Sequence, residues 1–178
     1  MEKKCADFYE ILNSRASVRT YTDKRIEDEK LDRLLETLRR SQSAANSQPW
    51  HFIVLKKDGR EVFDEAVLYK EGFKSAPVII VACQEPAAAW VRKTDKVNYA
   101  VVDVTIAVTD MVAAATAEGL GTCWIAAFDP DKVVALLQIP EGIEPVGLIT
   151  LGYPEKAIGV VEKPDRKKIT DIIHFGRW

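Results

Sequence analysis

Residues 117–129 read AEGLGTCWIAAFD, and the order of signals in this stretch decides what kind of sheet the chain can build. A helix candidate rich in Ala and Val, Tyr99 to Glu118, runs into Gly119, a residue suited to the position just past a helix end. Gly121 follows, and Thr122 to Ala127 then reads as a short strand. A dinucleotide-binding fold needs strand, then glycines, then helix, with a third glycine that is absent here. Gly119 is therefore a helix stop, and the small-residue strand after it is available to approach a planar ligand.

Outward from this point the chain alternates helical and extended signals. Upstream, Phe8, Ile11 and Leu12 recur at helical spacing, with Asn13-Ser14 able to end that helix. Leu31, Leu34, Leu35 and Leu38 form one apolar stripe; Glu27, Asp28 and Glu29 stand at its start and Arg39-Arg40 at its end, matching the helix dipole. Trp50 to Leu55 reads as a strand, Lys57-Asp58-Gly59 as a turn and Glu61 to Glu71 as a weaker helix. Val78 to Cys83 is an unbroken apolar run, the pattern of a strand buried on both faces. Residues 84–98 read as a surface loop or lid with Trp90, Arg92, Lys93 and Lys96. The helix over 99–118 is apolar on nearly every side, as buried helices are. Downstream, Asp129-Pro130 caps and opens a helix to Gln138, and Pro145 to Tyr153 is the last strand. The tail, 154–178, carries a basic cluster and then Ile169, Ile172, Ile173, Phe175 and Trp178, apolar residues that need a surface such as a partner subunit.

Length and composition bound the rest. The 178 residues carry 25 Lys+Arg against 27 Asp+Glu and 47% hydrophobic residues, the mix of one globular domain spanning 1–178. A net charge of −2 argues against nucleic-acid binding. No unbroken apolar run approaches the ~20 residues of a membrane span, and the first residues lack a secretory core. Cys5, Cys83 and Cys123 are odd in number and far apart, which fits a reducing, cytoplasmic setting and no disulfide or metal framework. His51 and His174 are the only histidines, so no histidine-rich metal site is expected.

Four segments could carry chemistry. On an extended chain Arg15, Ser17, Arg19 and Tyr21 project the same way, and two guanidinium groups with a hydroxyl make a receptor for phosphate or another oxyanion. An edge strand with solvated arginines is the alternative. In SAANSQPW, residues 43–50, small residues allow close backbone approach, while Asn46 and Gln48 offer donors and acceptors to a heteroaromatic edge. An ordinary helix-to-strand loop is the alternative there. The third segment is the strand 122–127; the fourth is the basic run Lys163 to Lys168, which matters only if it converges on Arg15. Cys123 lies in an apolar run with no histidine nearby and reads as an inert thiol. Asp103 and Asp110 read as helix polarity or a subunit contact rather than as an acid–base pair.

Taken together, RASVRTY (15–21), SAANSQPWHF (43–52), AEGLGTCWIAAFD (117–129) and LGYP (151–154) with a basic tail resemble the FMN-dependent nitroreductase family, in order and spacing, from about Ala6 to Trp178. The resemblance implies an α+β fold, a helix-flanked antiparallel or mixed sheet assembled as an intertwined homodimer with FMN in two clefts at the subunit boundary. By that analogy Arg15, Ser17 and Arg19 of one chain hold phosphate, ribityl chain and pyrimidine edge. Ser43, Ala44, Ala45, Asn46 and Gln48 come from the other chain. Trp124, Ile125, Ala126 and Ala127 run along the flavin, and Arg166 with Lys163 or Lys168 completes the phosphate site. No separate catalytic residue is implied, because the flavin carries the chemistry. The implied reaction passes electrons from NAD(P)H by a ping-pong mechanism to a nitroaromatic, quinone or other small conjugated acceptor. Dehalogenation, enoyl reduction, flavin breakdown or a non-catalytic flavin sensor or store are the alternatives. Gln42 stands where many members have proline, and Ala126 where some have glutamate, so the substrate class does not transfer.

Overall fold

The structure, a computed structural model, describes residues 3–156 and 165–178. Its centre is a four-stranded sheet of β1 (Trp50–Lys56), β2 (Val78–Gln84), β3 (Gly121–Ile125) and β4 (Glu144–Gly152), in the order β1-β2-β4-β3 and antiparallel at every pairing. Around it lie α1 (Lys3–Ser14), α2 (Asp28–Arg40), α3 (Glu61–Val67), α4 (Glu71–Lys74), α5 (Ala100–Ala117) and α6 (Pro130–Leu137), with single 3-10 turns at Ala44–Asn46 and Ile169–Asp171. This is the expected α+β architecture, and the single parallel element is an isolated bridge from Ser17 to Thr122.

Period-2 alternation in β2 divides the core in two. Val78, Ile80 and Ala82 face α2 and α5, where Leu34, Leu38, Val104, Val108 and Met111 are sealed with them. Ile79, Val81 and Cys83 face α3, α4 and α6, joining Phe63, Phe73 and Val133. Each buried Leu or Val contributes roughly 2 kcal/mol, and the unbroken apolar run is the sequence of a strand covered on both sides. Helix α5 has a mean hydropathy of 1.6, enough for a membrane span on composition alone. Yet Ala100, Asp103, Val104, Ala107, Val108, Met111 and Ala115 are buried in the protein, which makes it a core helix. It stops where expected, with Gly119 at φ +75° taking the left-handed turn into β3.

Two expectations need correcting. The helix over 61–71 is broken: Leu68 is extended (φ −93°, ψ 116°), and α4 starts again at Glu71. A continuous helix would point Leu68 and Phe73 about 140° apart, whereas the break turns both into the same core cluster. The strand after Gly121 ends at Ile125, leaving Ala126 and Ala127 beyond the sheet.

The α3–α4 corner is fixed by a buried ion pair. Arg60 Nε donates to Asp64 Oδ1 at 2.7 Å and Arg60 Nη2 to the Ala76 carbonyl at 2.8 Å, with both side chains almost fully enclosed. Asp64→Ala would leave the guanidinium enclosed without its counter-charge. A stability loss of about 3–5 kcal/mol is expected from urea unfolding, and Asp64→Ala/Arg60→Met should recover part of it.

Candidate functional site

The segment after α1 runs beside β3 as a short edge cover. Val18 N–H donates to the Thr122 carbonyl at 2.9 Å, and Ser17 bridges Thr122 in parallel. Ala16 and Val18 point inward, while Arg15 and Ser17 are half-buried and Arg19 is exposed. Tyr21 departs from the expected alternation, because the chain turns and takes its ring into the core. Its hydroxyl sits 2.6 Å from the Val18 carbonyl and 2.7 Å from Thr150 Oγ1, and its N–H donates to Ser75 Oγ at 2.9 Å. Burial pushes this phenol above its usual range, so it stays protonated and serves as an anchor.

Tyr21 and Ser75 together draw α4 against the segment. A Cβ on Gly72 would stand 2.3 Å from the Arg19 carbonyl, so only glycine permits this approach. Lys70, just before α4, is brought to the same edge, a convergence across 50 residues that no local pattern signals. Burial raises the Cys123 thiol, and the charges of Arg19, Lys70 and Arg15 pull it partly back. Three cations thus lie near enough to Cys123, in the middle of β3, to act on its thiol. Among the described residues neither Arg15 nor Arg19 has a carboxylate partner; Arg19 Nη1 reaches only the Ser17 carbonyl, at 3.4 Å. Cationic groups with open donors beside a half-buried hydroxyl suit an oxyanion.

The loop 43–48 is unusual in its backbone. Ala45 (φ +52°), Asn46 (+56°) and Gln48 (+49°) are all left-handed without being glycine. Each costs on the order of 1 kcal/mol or more, least for Asn. Internal bonds hold the bend: Asn46 N–H to Ser43 O at 3.0 Å, Gln48 N–H to Ser43 Oγ at 3.0 Å, and Gln48 Nε2 to Asn46 O at 3.2 Å. Ala45, Asn46 and Gln48 are exposed; Ser43 and Ala44 are half-buried. Ala44 N–H donates to Asp103 Oδ1 at 2.9 Å. Asp103 is 1% exposed, so it is neither a polarity marker nor a subunit contact, as the sequence implied. Asp110 is exposed.

Of the strand residues, Trp124 lies over Gly147 and remains about one-third exposed, and Ala126 and Ala127 are exposed past the strand end. Ile125 is 3% exposed in the core, which leaves only its backbone to a ligand. Arg166 and Lys168 are exposed in the tail, with no hydrogen bond or ion pair to the 15–21 segment; Lys163 lies outside the described residues. In the 84–98 loop, Arg92 is occupied by Asp95 (2.6 Å) and Tyr99 (2.8 Å), and Trp90 packs edge-on against Tyr99.

The two principal segments do not meet within one protomer. Ala44 is bonded at the first turn of α5 and Ser17 beside Thr122, past its other end. From Asp103 to Ala117 the helix is roughly 21 Å long. Across the sheet, β1 and β3 are three strand spacings apart, each about 4.8 Å. The cations and the strained loop therefore occupy diagonal corners. Tyr21→Phe would remove the buried hydroxyl that the Val18 carbonyl and Thr150 Oγ1 share. It is expected to cost about 1–3 kcal/mol, measured by urea unfolding, and to loosen the 15–21 segment in amide exchange.

Comparison with known proteins adds a family. The profile of the Nitroreductase family matches residues 12–70 and 59–153. An Archaeoglobus fulgidus protein with the provisional name NADH dehydrogenase/NAD(P)H nitroreductase is 31% identical over 94% of this chain and 97% of its own. The Bacillus subtilis FMN reductase [NAD(P)H] is 27% identical over 80% of this chain and 64% of its own. A crystal structure of a nitroreductase family protein from Clostridium difficile 630 superposes with a TM-score of 0.85 at 26% identity, covering 95% and 98% of the two chains.

Proposed function

The chain belongs to the nitroreductase family, whose named relatives are oxidoreductases, and we propose that it is a cytoplasmic, homodimeric FMN enzyme that oxidises NAD(P)H. The observation that carries this reading is the separation just described. Two ligand-ready segments stand roughly 20 Å or more apart in one protomer, and a two-fold partner brings the loop of one chain to the cations of the other. The exposed apolar groups support such an interface. They comprise Phe8, Tyr9 and Leu12 on α1, Val101 and Val102 on α5, and the tail with Phe175 at 92% and Trp178 at 99% exposure.

The residues present fit FMN. Arg15, Ser17 and Arg19, with Lys70 beside them, offer charge and hydrogen-bond donors to phosphate, ribityl oxygens and the pyrimidine edge. Arg166, with Lys163 or Lys168, adds cationic partners for the phosphate. Ser43 to Asn46 and Gln48 of the partner supply a close backbone and two amides. Trp124, Ala126 and Ala127, with the backbone of Ile125, leave a low surface for a flat ring. FMN held there would supply the redox chemistry for a ping-pong cycle, hydride uptake from NAD(P)H followed by reduction of a nitroaromatic, quinone or similar small acceptor in the same cleft. Arg19 would hold a positive charge near the pyrimidine edge, where flavin reduction builds a negative one, and so would favour the reduced state. No acid, base or nucleophile of the chain is needed, in keeping with thiols pushed up by burial, Cys83 to about 11.

Anaerobic mixing with NADPH and with NADH tests the activity: the oxidised-flavin absorbance is expected to bleach with one or both and to return on adding a quinone. Flavin that stays oxidised with both donors would remove the reductase reading. Sedimentation at micromolar concentration should give a dimer, and a monomer would contradict the shared cleft. Arg15→Ala is expected to weaken FMN binding by about 1.5–3 kcal/mol, read by fluorescence titration.

A further inference from the structure

We propose that Asp103 is a positioning residue for the flavin site: its buried carboxylate, accepting the Ala44 N–H, holds residues 43–48 in the shape that presents their backbone and amides to the cofactor. The inference rests on the flavin reading above and adds a residue that contributes no atom to the ligand surface.

Three observations carry it. Every other hydrogen bond of residues 43–48 closes within the loop or onto Trp50, where the chain enters β1; among the described residues, Ala44 to Asp103 is the one that ties the segment to an element distant in sequence. The loop holds three left-handed non-glycine residues, a conformation that persists only where its surroundings impose it. Finally, among the described residues, Asp103 Oδ2 and Ser47 Oγ are both sealed without a partner. A carboxylate enclosed for a single bond is a poor choice for stability alone, and local rules are broken where a site needs its geometry. The position is well chosen electrostatically, because Asp103 sits in the first turn of α5 where the helix dipole favours a negative charge. Since α5 is clamped between α2 and the sheet, this bond passes the rigidity of the core to the start of the loop.

The test compares wild type, Asp103→Ala and Asp103→Asn by FMN fluorescence titration and, without flavin, by amide hydrogen exchange. Asp103→Ala should weaken FMN binding by about tenfold or more and accelerate exchange at 44–48 while the β2 amides keep their rates. Asp103→Asn retains an acceptor at Oδ1 and should stay within about threefold of wild type. Equal FMN affinity in Asp103→Ala, or exchange that accelerates uniformly through β2, would overturn the role of Asp103 and leave the flavin reading standing. A wild-type protein that binds no FMN would overturn both. Should Asp103→Ala fail to fold, Ala44→Pro deletes the donor from the loop side. Ser43 before it is already extended (φ −143°, ψ 158°), as a residue preceding proline must be. The same loss of affinity is expected there, and wild-type binding by Ala44→Pro would sink the proposal.

Discussion

The length of α5 is the constraint from which the rest follows. A helix rises about 1.5 Å per residue whatever its sequence, so the loop bonded at its first turn and the strand that leaves its last turn cannot approach one another. Packing removes any slack. One side of the helix is locked against the Leu31, Leu34 and Leu38 stripe of α2, and the sheet closes the other. A single polypeptide therefore displays the two segments at separate corners, and on the proposed reading a partner chain is what brings them together.

Each segment is built by a different economy. At the β3 edge, positive charge gathers because Tyr21 and Ser75 pull α4 inward until Gly72 meets the Arg19 carbonyl. At the other corner there is little charge and much strain. The backbone is bent into a region that Ala and Gln avoid, and its stability is borrowed from a carboxylate in the neighbouring helix. One corner suits an anionic end of a ligand and the other a neutral, planar one.

Much of the fold is written in local periodicity. The Leu31–Leu38 stripe with its flanking charges, the Val78–Cys83 run, the Gly119 stop and the Asp129-Pro130 cap each leave a mark that a window of ten residues can detect, and each appears as read. The break at Leu68 leaves none, because only the distant core tells that Leu68 and Phe73 must face the same way. Tyr21 was legible as part of an extended segment but not as its inward anchor, since its partner Thr150 is 129 positions away. For the candidate site, the composition of RASVRTY and SAANSQPW marks the two segments in which the structure has open cationic donors and left-handed backbone. Asp103 and Lys70 were hidden for a physical reason. An acid in the first turn of a helix is ordinary, and a lone lysine between two short helices is more so; only the third dimension shows what each touches.

The 84–98 loop closes upon itself: Arg92 finds its counter-charge three residues away, Val91 pairs with Asn98, and Asn98 returns to the Pro86 carbonyl. Residues 91–97, wired this way, make no hydrogen bond to the sheet or to its helices among the described residues. The tip of the loop can accumulate replacements, lengthen or be exchanged for that of a relative while the scaffold melts at the same temperature. Change in this exposed segment is thereby uncoupled from the hazard of unfolding.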